Sequence, residues 1–152
     1  MKTKNILHLV AFVLTFAVSV SVAGVVKSFQ GLSTGEKITN VLIEDINNGL
    51  SRRTNYNSSL NYVSQKTEDY VAASECINVN GLPENFQVAW QKHMTAWRIH
   101  ANYLNERKYS HGFDQNYDAV SANQSNEINR TWYEVLRVAR QNGAKIPRNA
   151  YY

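Results

Sequence analysis

The sequence predicts an all-α protein, a small bundle of about four helices that follows an N-terminal signal or anchor segment. Beyond that segment, apolar residues recur at intervals of three and four, the period of an amphipathic helix. No segment alternates apolar and polar residues for more than a few positions, so strands are not indicated. A chain of 152 residues with 43% hydrophobic and 18% charged side chains suits one core.

An uncharged apolar run begins the chain. Two lysines precede residues 6–26, which contain no charged side chain. The small residues Ser21 and Ala23 have the spacing that signal peptidase recognises, which predicts a signal peptide over residues 1–23. The alternative is a retained transmembrane anchor, because a helix over residues 6–26 would be about 31 Å long and a hydrocarbon core is about 30 Å thick.

Both alternatives deliver the rest of the chain across a membrane, because the positively charged end stays on the cytoplasmic side. We therefore expect residues 24–152 to form a single exported helical domain. It would be secreted, periplasmic, or anchored with the domain outside the cytoplasm. The membrane is then a partner at least during export.

The charge balance argues against nucleic acid as a partner. The chain has 16 Lys and Arg against 12 Asp and Glu, and two of the lysines belong to the N-terminal segment. The remaining charges nearly cancel, and they form no basic patch of the size that phosphate-backbone binding requires. We expect no nucleic-acid binding.

The single cysteine, Cys76, cannot close an intrachain disulfide. We expect it to be buried. The alternatives are a free thiol and a disulfide to a second copy, which would make the chain a homodimer.

The first two predicted helices differ in strength. Ser33 and Glu36 form a capping box, and Asn47-Asn48-Gly49 offers an end. The inner stripe between them holds Ile38, Val41, Leu42 and Ile46. The second helix, over residues 58–74, has a thinner stripe that is half polar.

The third predicted helix, from Pro83 to about Arg107, has the clearest apolar stripe. Its inner face holds Phe86, Ala89, Trp90, His93, Met94, Trp97, Ala101 and Leu104. Residues 109–123 are polar and contain glycine, which predicts a long loop. The fourth helix follows from about Ser125 to Asn142, closed by Gly143. Its outer face alternates acidic and basic residues that can pair three or four positions apart.

Two histidines are the candidate ligand residues. His93 and His100 lie seven positions apart on the apolar face of the third helix. One shared ion is excluded, because the two backbones are about 10.5 Å apart along the axis. A noncovalent haem or a transition metal held by either residue is the functional alternative. The simpler interpretation, and the one on which we predict no cofactor, is that both are interior histidines satisfied by neighbouring polar groups.

The predicted loop carries three aromatic residues, Tyr109, Phe113 and Tyr117. Exposed rings on a loop are typical of a contact surface for a protein or a sugar. The same rings could instead cover the end of the bundle, and the sequence leaves both alternatives open.

No catalytic signature is present. The adjacent acidic residues Glu44 and Asp45 point about 100° apart on a helix, which suits solvent better than shared acid–base chemistry. The sequence therefore predicts a small exported, non-catalytic helical protein of the cell envelope that acts through protein–protein contacts. The alternative is a noncovalent haem- or metal-binding bundle using His93 or His100.

The two alternatives for the N-terminal segment predict different mature proteins. If the segment is a signal peptide, Edman sequencing of the exported protein should begin at Gly24. An exported, membrane-bound protein that still begins at its original N-terminus would contradict cleavage and support the anchor.

Overall fold

The computed structural model describes residues 31–51, 59–109 and 117–151. In these ranges the chain forms helices and no strand, which confirms the all-α prediction. The helices are α1 (Thr34–Ser51), α2 (Leu60–Glu75), α3 (Glu84–Tyr109) and α4 (Tyr117–Gln141), followed by a 3₁₀ turn (Arg148–Tyr151). Each helix packs on the next along the chain, and α1 also contacts α4, so the four helices close a ring. The predicted four-helix bundle is therefore present.

The predicted signal or anchor segment lies outside the described residues, and so does Phe113. Among the helices that the structure does describe, none combines the length and the apolar character needed to cross a membrane.

Local signals at the helix ends are confirmed. The backbone N–H of Ser33 donates to Glu36 Oε2 at 2.8 Å, and the N–H of Glu36 donates to Ser33 Oγ at 3.3 Å. The hydroxyl of Ser33, which donates to Glu36 Oε2 at 2.7 Å, and then the backbone N–H of Ser33 lower the pKa of the Glu36 carboxyl. After α4, Gly143 has a φ of 79°, and the backbone N–H of Ala144 donates to the carbonyl of Ala139 at 3.0 Å. This is the Schellman geometry that ends α4.

Two predicted boundaries are wrong. α1 passes through Asn47-Asn48-Gly49 and ends at Ser51, because helical packing outweighs the weak helix propensity of these residues. α4 begins at Tyr117, eight residues before the predicted start, so the second half of the predicted loop is helical. The inner positions of this extra helix include Gln124, whose polar side chain hides the helical period from an apolar pattern.

The core is built on the predicted stripes. Every residue predicted for the inner face of α3 is buried, and the completely buried side chains of the core include Ile38, Leu42, Phe86, Leu104, Val135 and Leu136. The stripe of α2 is indeed half polar, since Ser64, Thr67 and Ser74 are fully buried there. On the outer face of α4, Arg130 pairs with Glu127 and Arg137 with Glu134, both at 2.6 Å, as the charge pattern predicts.

Three side-chain contacts fix the relative direction of α3 and α4. They join Asn85 to Asn142 at 3.3 Å, His93 to Thr131 at 3.0 Å, and His100 to Gln124 at 2.8 Å. Residue numbers rise along α3 as they fall along α4, so the two helices are antiparallel.

The expectation for Cys76 is wrong, because its side chain is exposed. Cys76 caps the C-terminus of α2, and its N–H donates to the carbonyl of Ala73 at 3.2 Å. The following residue, Ile77, occupies the buried position instead. A one-residue difference at the end of a helix decides which of the two side chains faces the core.

The start of α1 packs tightly on the turn after α4. A Cβ atom added to Gly35 would lie 2.3 Å from the carbonyl oxygen of Gly143, a distance that real Cβ atoms do not show. Beside this contact, Thr39 Oγ1 accepts a hydrogen bond from the backbone N–H of Lys145 at 2.9 Å. The backbones approach this closely only because position 35 lacks a side chain.

Gly35→Ala is expected to destabilise the domain by about 1–3 kcal/mol, because the new methyl group meets a backbone oxygen that cannot rotate away. Urea denaturation followed by circular dichroism measures the free energy of unfolding.

Gly49→Ala is the matched control. Its Cβ would meet only Tyr70 Cε2 at 3.7 Å, an ordinary contact. This substitution should stabilise the protein by up to about 1 kcal/mol, as replacing a helical glycine usually does. Equal effects of the two substitutions would contradict the close approach at Gly35.

Candidate binding cleft

A cleft of about 400 Å³ opens where the second half of α1, the middle of α3, the middle of α4 and the 3₁₀ turn meet, and Tyr70 of α2 also lines it. Its aromatic lining residues are Tyr70, Trp97 and Trp132. Its polar lining residues are Asp45, His93, His100, Ser125, Asn129 and Asn149. The volume lies within the range of small-molecule sites, about 300–1,000 Å³.

His93 forms part of the cleft wall, although only 2% of its surface is exposed. The indole N–H of Trp97, one turn further along α3, donates to His93 Nε2 at 3.2 Å. Nε2 is therefore the unprotonated nitrogen, so Nδ1 carries the proton and donates to Thr131 Oγ1 at 3.0 Å. The Thr131 hydroxyl in turn reaches the carbonyl of Ile128 at 2.9 Å. Both ring nitrogens of His93 thus have partners within the protein.

Burial lowers the pKa of His93 from 6.5 to about 3, because an imidazolium cation would lose its hydration in the core. A hydrogen bond with the backbone of Ile128 opposes this shift weakly. His93 is therefore neutral at physiological pH. It is too weak a base to accept a proton from a substrate.

His100 lies nearer the opening of the same cleft. Its Nδ1 contacts Gln124 Oε1 at 2.8 Å, and its ring meets that of Trp97 edge-on, with centroids 6.1 Å apart. The structure thus brings the two predicted histidines to one cleft, with Trp97 between them. His93 has the satisfied environment of the simpler interpretation, and a ligand role for it would require Trp97 to give up its hydrogen bond.

Asp45 is a cleft residue that the sequence argument missed. Only 4% of its surface is exposed. Its Oδ1 accepts a hydrogen bond from the hydroxyl of Tyr70 at 2.9 Å. The expectation that Asp45 faces solvent is therefore wrong. A signal did exist, because Asp45 lies seven residues after Ile38 and three after Leu42, on the inner stripe of α1.

Trp132 connects the cleft to the end of the chain. Its indole N–H donates to the carbonyl of Ala150 in the 3₁₀ turn at 2.7 Å, and its ring centroid lies 5.0 Å from that of His93. Ala150 is 4% exposed, so the 3₁₀ turn is docked on the bundle.

No protein-family model, curated protein or solved structure shows a significant match to this chain.

Of the three residues of the predicted contact surface, Tyr109 is the one whose side chain the structure describes. Tyr109 ends α3 with 71% of its surface exposed and is not a lining residue of the cleft. Phe113 and the side chain of Tyr117 are outside the described part of the chain. No cluster of three or more potential metal-ligating side chains occurs in the described ranges.

The His93 environment predicts an acid-dependent loss of stability. Because folding lowers the pKa of His93, the unfolded chain binds more protons between pH 6.5 and about 3. The contribution of the neutral His93 ring to the free energy of unfolding is complete above pH 6.5. It decreases as the pH drops, by up to about 1.4 kcal/mol per pH unit. Urea denaturation at intervals between pH 7 and pH 5 measures it, above the range in which most carboxylates titrate.

His93→Gln should remove most of this slope, because the amide can accept from Trp97 and donate to Thr131 without binding a proton. His100→Gln, at a partly exposed position, is the control and should keep the slope. A slope that survives in His93→Gln would contradict the assignment of the effect to this imidazole.

Proposed function

We propose that this chain is a small exported, non-catalytic protein of the cell envelope that acts by binding, and that the cleft is its binding site. The observation that supports the site most strongly is the cleft wall, in which buried polar groups and two indole rings are held in place by hydrogen bonds within the protein. Concave sites in which polar groups are held in fixed positions beside aromatic rings are where proteins bind ligands.

Binding without catalysis fits the chemistry of the described wall. The nitrogen of His93 that could accept a proton is engaged by Trp97, and the pKa of His93 is far below neutrality. A general base needs a pKa near the working pH and access to the substrate. His93 lacks both the pKa and the access, so its ring is a fixed, neutral part of the cleft wall.

Haem or metal binding is the second candidate, and His100 is the residue that favours it. The Nδ1 of His100 contacts the amide oxygen of Gln124. A hydrogen bond at one ring nitrogen typically orients a histidine that ligates a metal through the other nitrogen, here Nε2. His93, whose Nε2 accepts from Trp97, is the weaker of the two predicted ligands.

The three tryptophans provide an internal test of the binding site. A fragment library added to isotope-labelled protein should shift the indole N–H signals of Trp97 and Trp132, which line the cleft. The signal of Trp90, which stacks on Phe86 and is not a lining residue, should stay unchanged. The fragments should be recovered chemically intact.

Asn129→Trp places a bulky ring at the exposed rim of the cleft and should abolish these shifts, whereas Gln91→Trp, on the exposed face of α3, should not. Fragments that shift Trp90 alone, or none of the three indoles, would contradict the proposed site. Haem added to the same sample separates the two candidates, since a Soret band that is lost in His100→Ala would favour the haem-binding bundle.

A further inference from the structure

One side of α4 lines the cleft with polar groups and an indole ring. Ser125, Asn129 and Trp132 follow one another at intervals of four and three residues, so they lie along the same side of the helix. Asn149, in the 3₁₀ turn, lines the same cleft. Ser125, Asn129 and Asn149 are exposed, so a ligand can replace the water that contacts their side chains.

The indole of Trp132 has a fixed position in this wall. Its N–H donates to the carbonyl of Ala150 at 2.7 Å, and its ring centroid lies 5.0 Å from that of the buried His93. Trp132 is nevertheless partly exposed and lines the cleft, so part of the ring is accessible to a ligand. An aromatic ring held in this way is an apolar surface that does not have to be ordered when a ligand binds.

The polar groups near this ring can each donate and accept hydrogen bonds. An asparagine side chain has an NH₂ donor beside a carbonyl acceptor, and a serine hydroxyl has one proton and two lone pairs. The hydroxyl groups of a sugar have the same dual character, and one amide can contact two neighbouring hydroxyls. Because amides and hydroxyls are neutral, this match does not depend on a charged group in the cleft.

α1 adds apolar surface to the same cleft. Ile46 and Leu50 line it, and 43% of the surface of Leu50 is exposed. A pyranose ring has a matching distribution of groups, since its faces carry C–H groups and its edge carries hydroxyls. Such a ring can place its C–H groups on an indole while its hydroxyls contact amide side chains.

We propose that the cleft binds a neutral sugar ring, which stacks on the indole of Trp132 and is hydrogen-bonded through its hydroxyls to Asn129 and Asn149. This inference rests on the proposed function, because it names the ligand class of the same cleft. A free monosaccharide and one unit of a polysaccharide chain both present this chemistry.

The methyl β-glycosides of glucose, galactose and N-acetylglucosamine test the proposal in the unmodified protein. At least one of them should shift the indole N–H signal of Trp132. The C–H protons of that glycoside should move upfield, because the face of an aromatic ring shields the protons above it. Cyclohexanol has a ring with a single hydroxyl, and glycerol has hydroxyls without a ring. Both should bind about tenfold or more weakly than the glycoside, because each lacks one half of the contact.

The length of the sugar separates the two sources. Cellotetraose and chitotetraose are chains of the glucose and N-acetylglucosamine units. A tetrasaccharide that binds more tightly than its methyl glycoside indicates a polysaccharide, and equal affinity indicates a free sugar.

Asn129→Leu isolates the hydrogen bonds, because leucine is close to asparagine in size but its side chain cannot donate or accept. At this exposed position it should weaken glycoside binding about tenfold and leave cyclohexanol binding unchanged. Asn126→Leu is the matched control, at an exposed position of α4 that is not a lining residue of the cleft, and should change neither.

The outcomes separate this inference from the proposed function. The sugar proposal is overturned if none of the glycosides or tetrasaccharides shifts Trp132. Tighter binding of cyclohexanol than of every sugar overturns it too, and so does tighter binding of acetyl-trialanine-amide, a probe for an extended peptide. If other fragments still shift the indoles of Trp97 and Trp132 in these cases, the proposed binding site stands. If neither the sugars nor any fragment shifts them, both proposals fail together.

Discussion

The structure depends on how one neutral imidazole is satisfied inside an apolar core. An unpaired polar group at this depth would cost about 1–3 kcal/mol. The N–H of Trp97 fixes which nitrogen of His93 is the acceptor, and the other nitrogen must then donate. The acceptor of this hydrogen bond is the hydroxyl of Thr131 on the facing helix α4. The hydrogen bonds of one ring therefore constrain the register of α3 against α4.

The shape of the cleft follows from that register. With Thr131 opposite His93, the neighbouring residue Trp132 is brought over the imidazole, with ring centroids 5.0 Å apart. Two turns toward the start of α4, Gln124 reaches His100. Trp132 also holds the 3₁₀ turn through the carbonyl of Ala150, so the end of the chain closes one side of the opening. Because these groups are fixed before a ligand arrives, binding would cost little ordering entropy.

The features that the sequence predicts correctly are those whose signal is local. The capping box of Ser33, the stripe of α3 and the glycine stop at Gly143 each depend on residues within one or two helical turns. The early start of α4 and the hydrogen bond of the buried Asp45 do not, although the position of Asp45 on the inner stripe of α1 is itself a local signal. Both place a polar residue on an inner face, where its partner lies on another helix, and no local pattern shows that partner.

The histidines illustrate the same limit at the candidate site. Their spacing placed His93 and His100 on the apolar face of one helix, and both line the cleft. The spacing could not predict the hydrogen-bond partners of each ring, because Thr131 and Gln124 are 38 and 24 residues away in sequence. A residue type and a period predict where a side chain lies, whereas its chemistry is set by long-range contacts.

The closest backbone contact of the bundle and the proposed binding cleft lie in different halves of it. At one end the starts of α1 and α3 meet the end of α4, where Gly35 lies close to Gly143 and Asn85 contacts Asn142. Phe86 stacks on Trp90 within α3. None of these residues lines the cleft. The polar wall begins at His93, one turn further along α3, so this residue belongs to both halves. A change in the apolar end can therefore alter the free energy of unfolding while the cleft keeps its shape, but a change at His93 alters both.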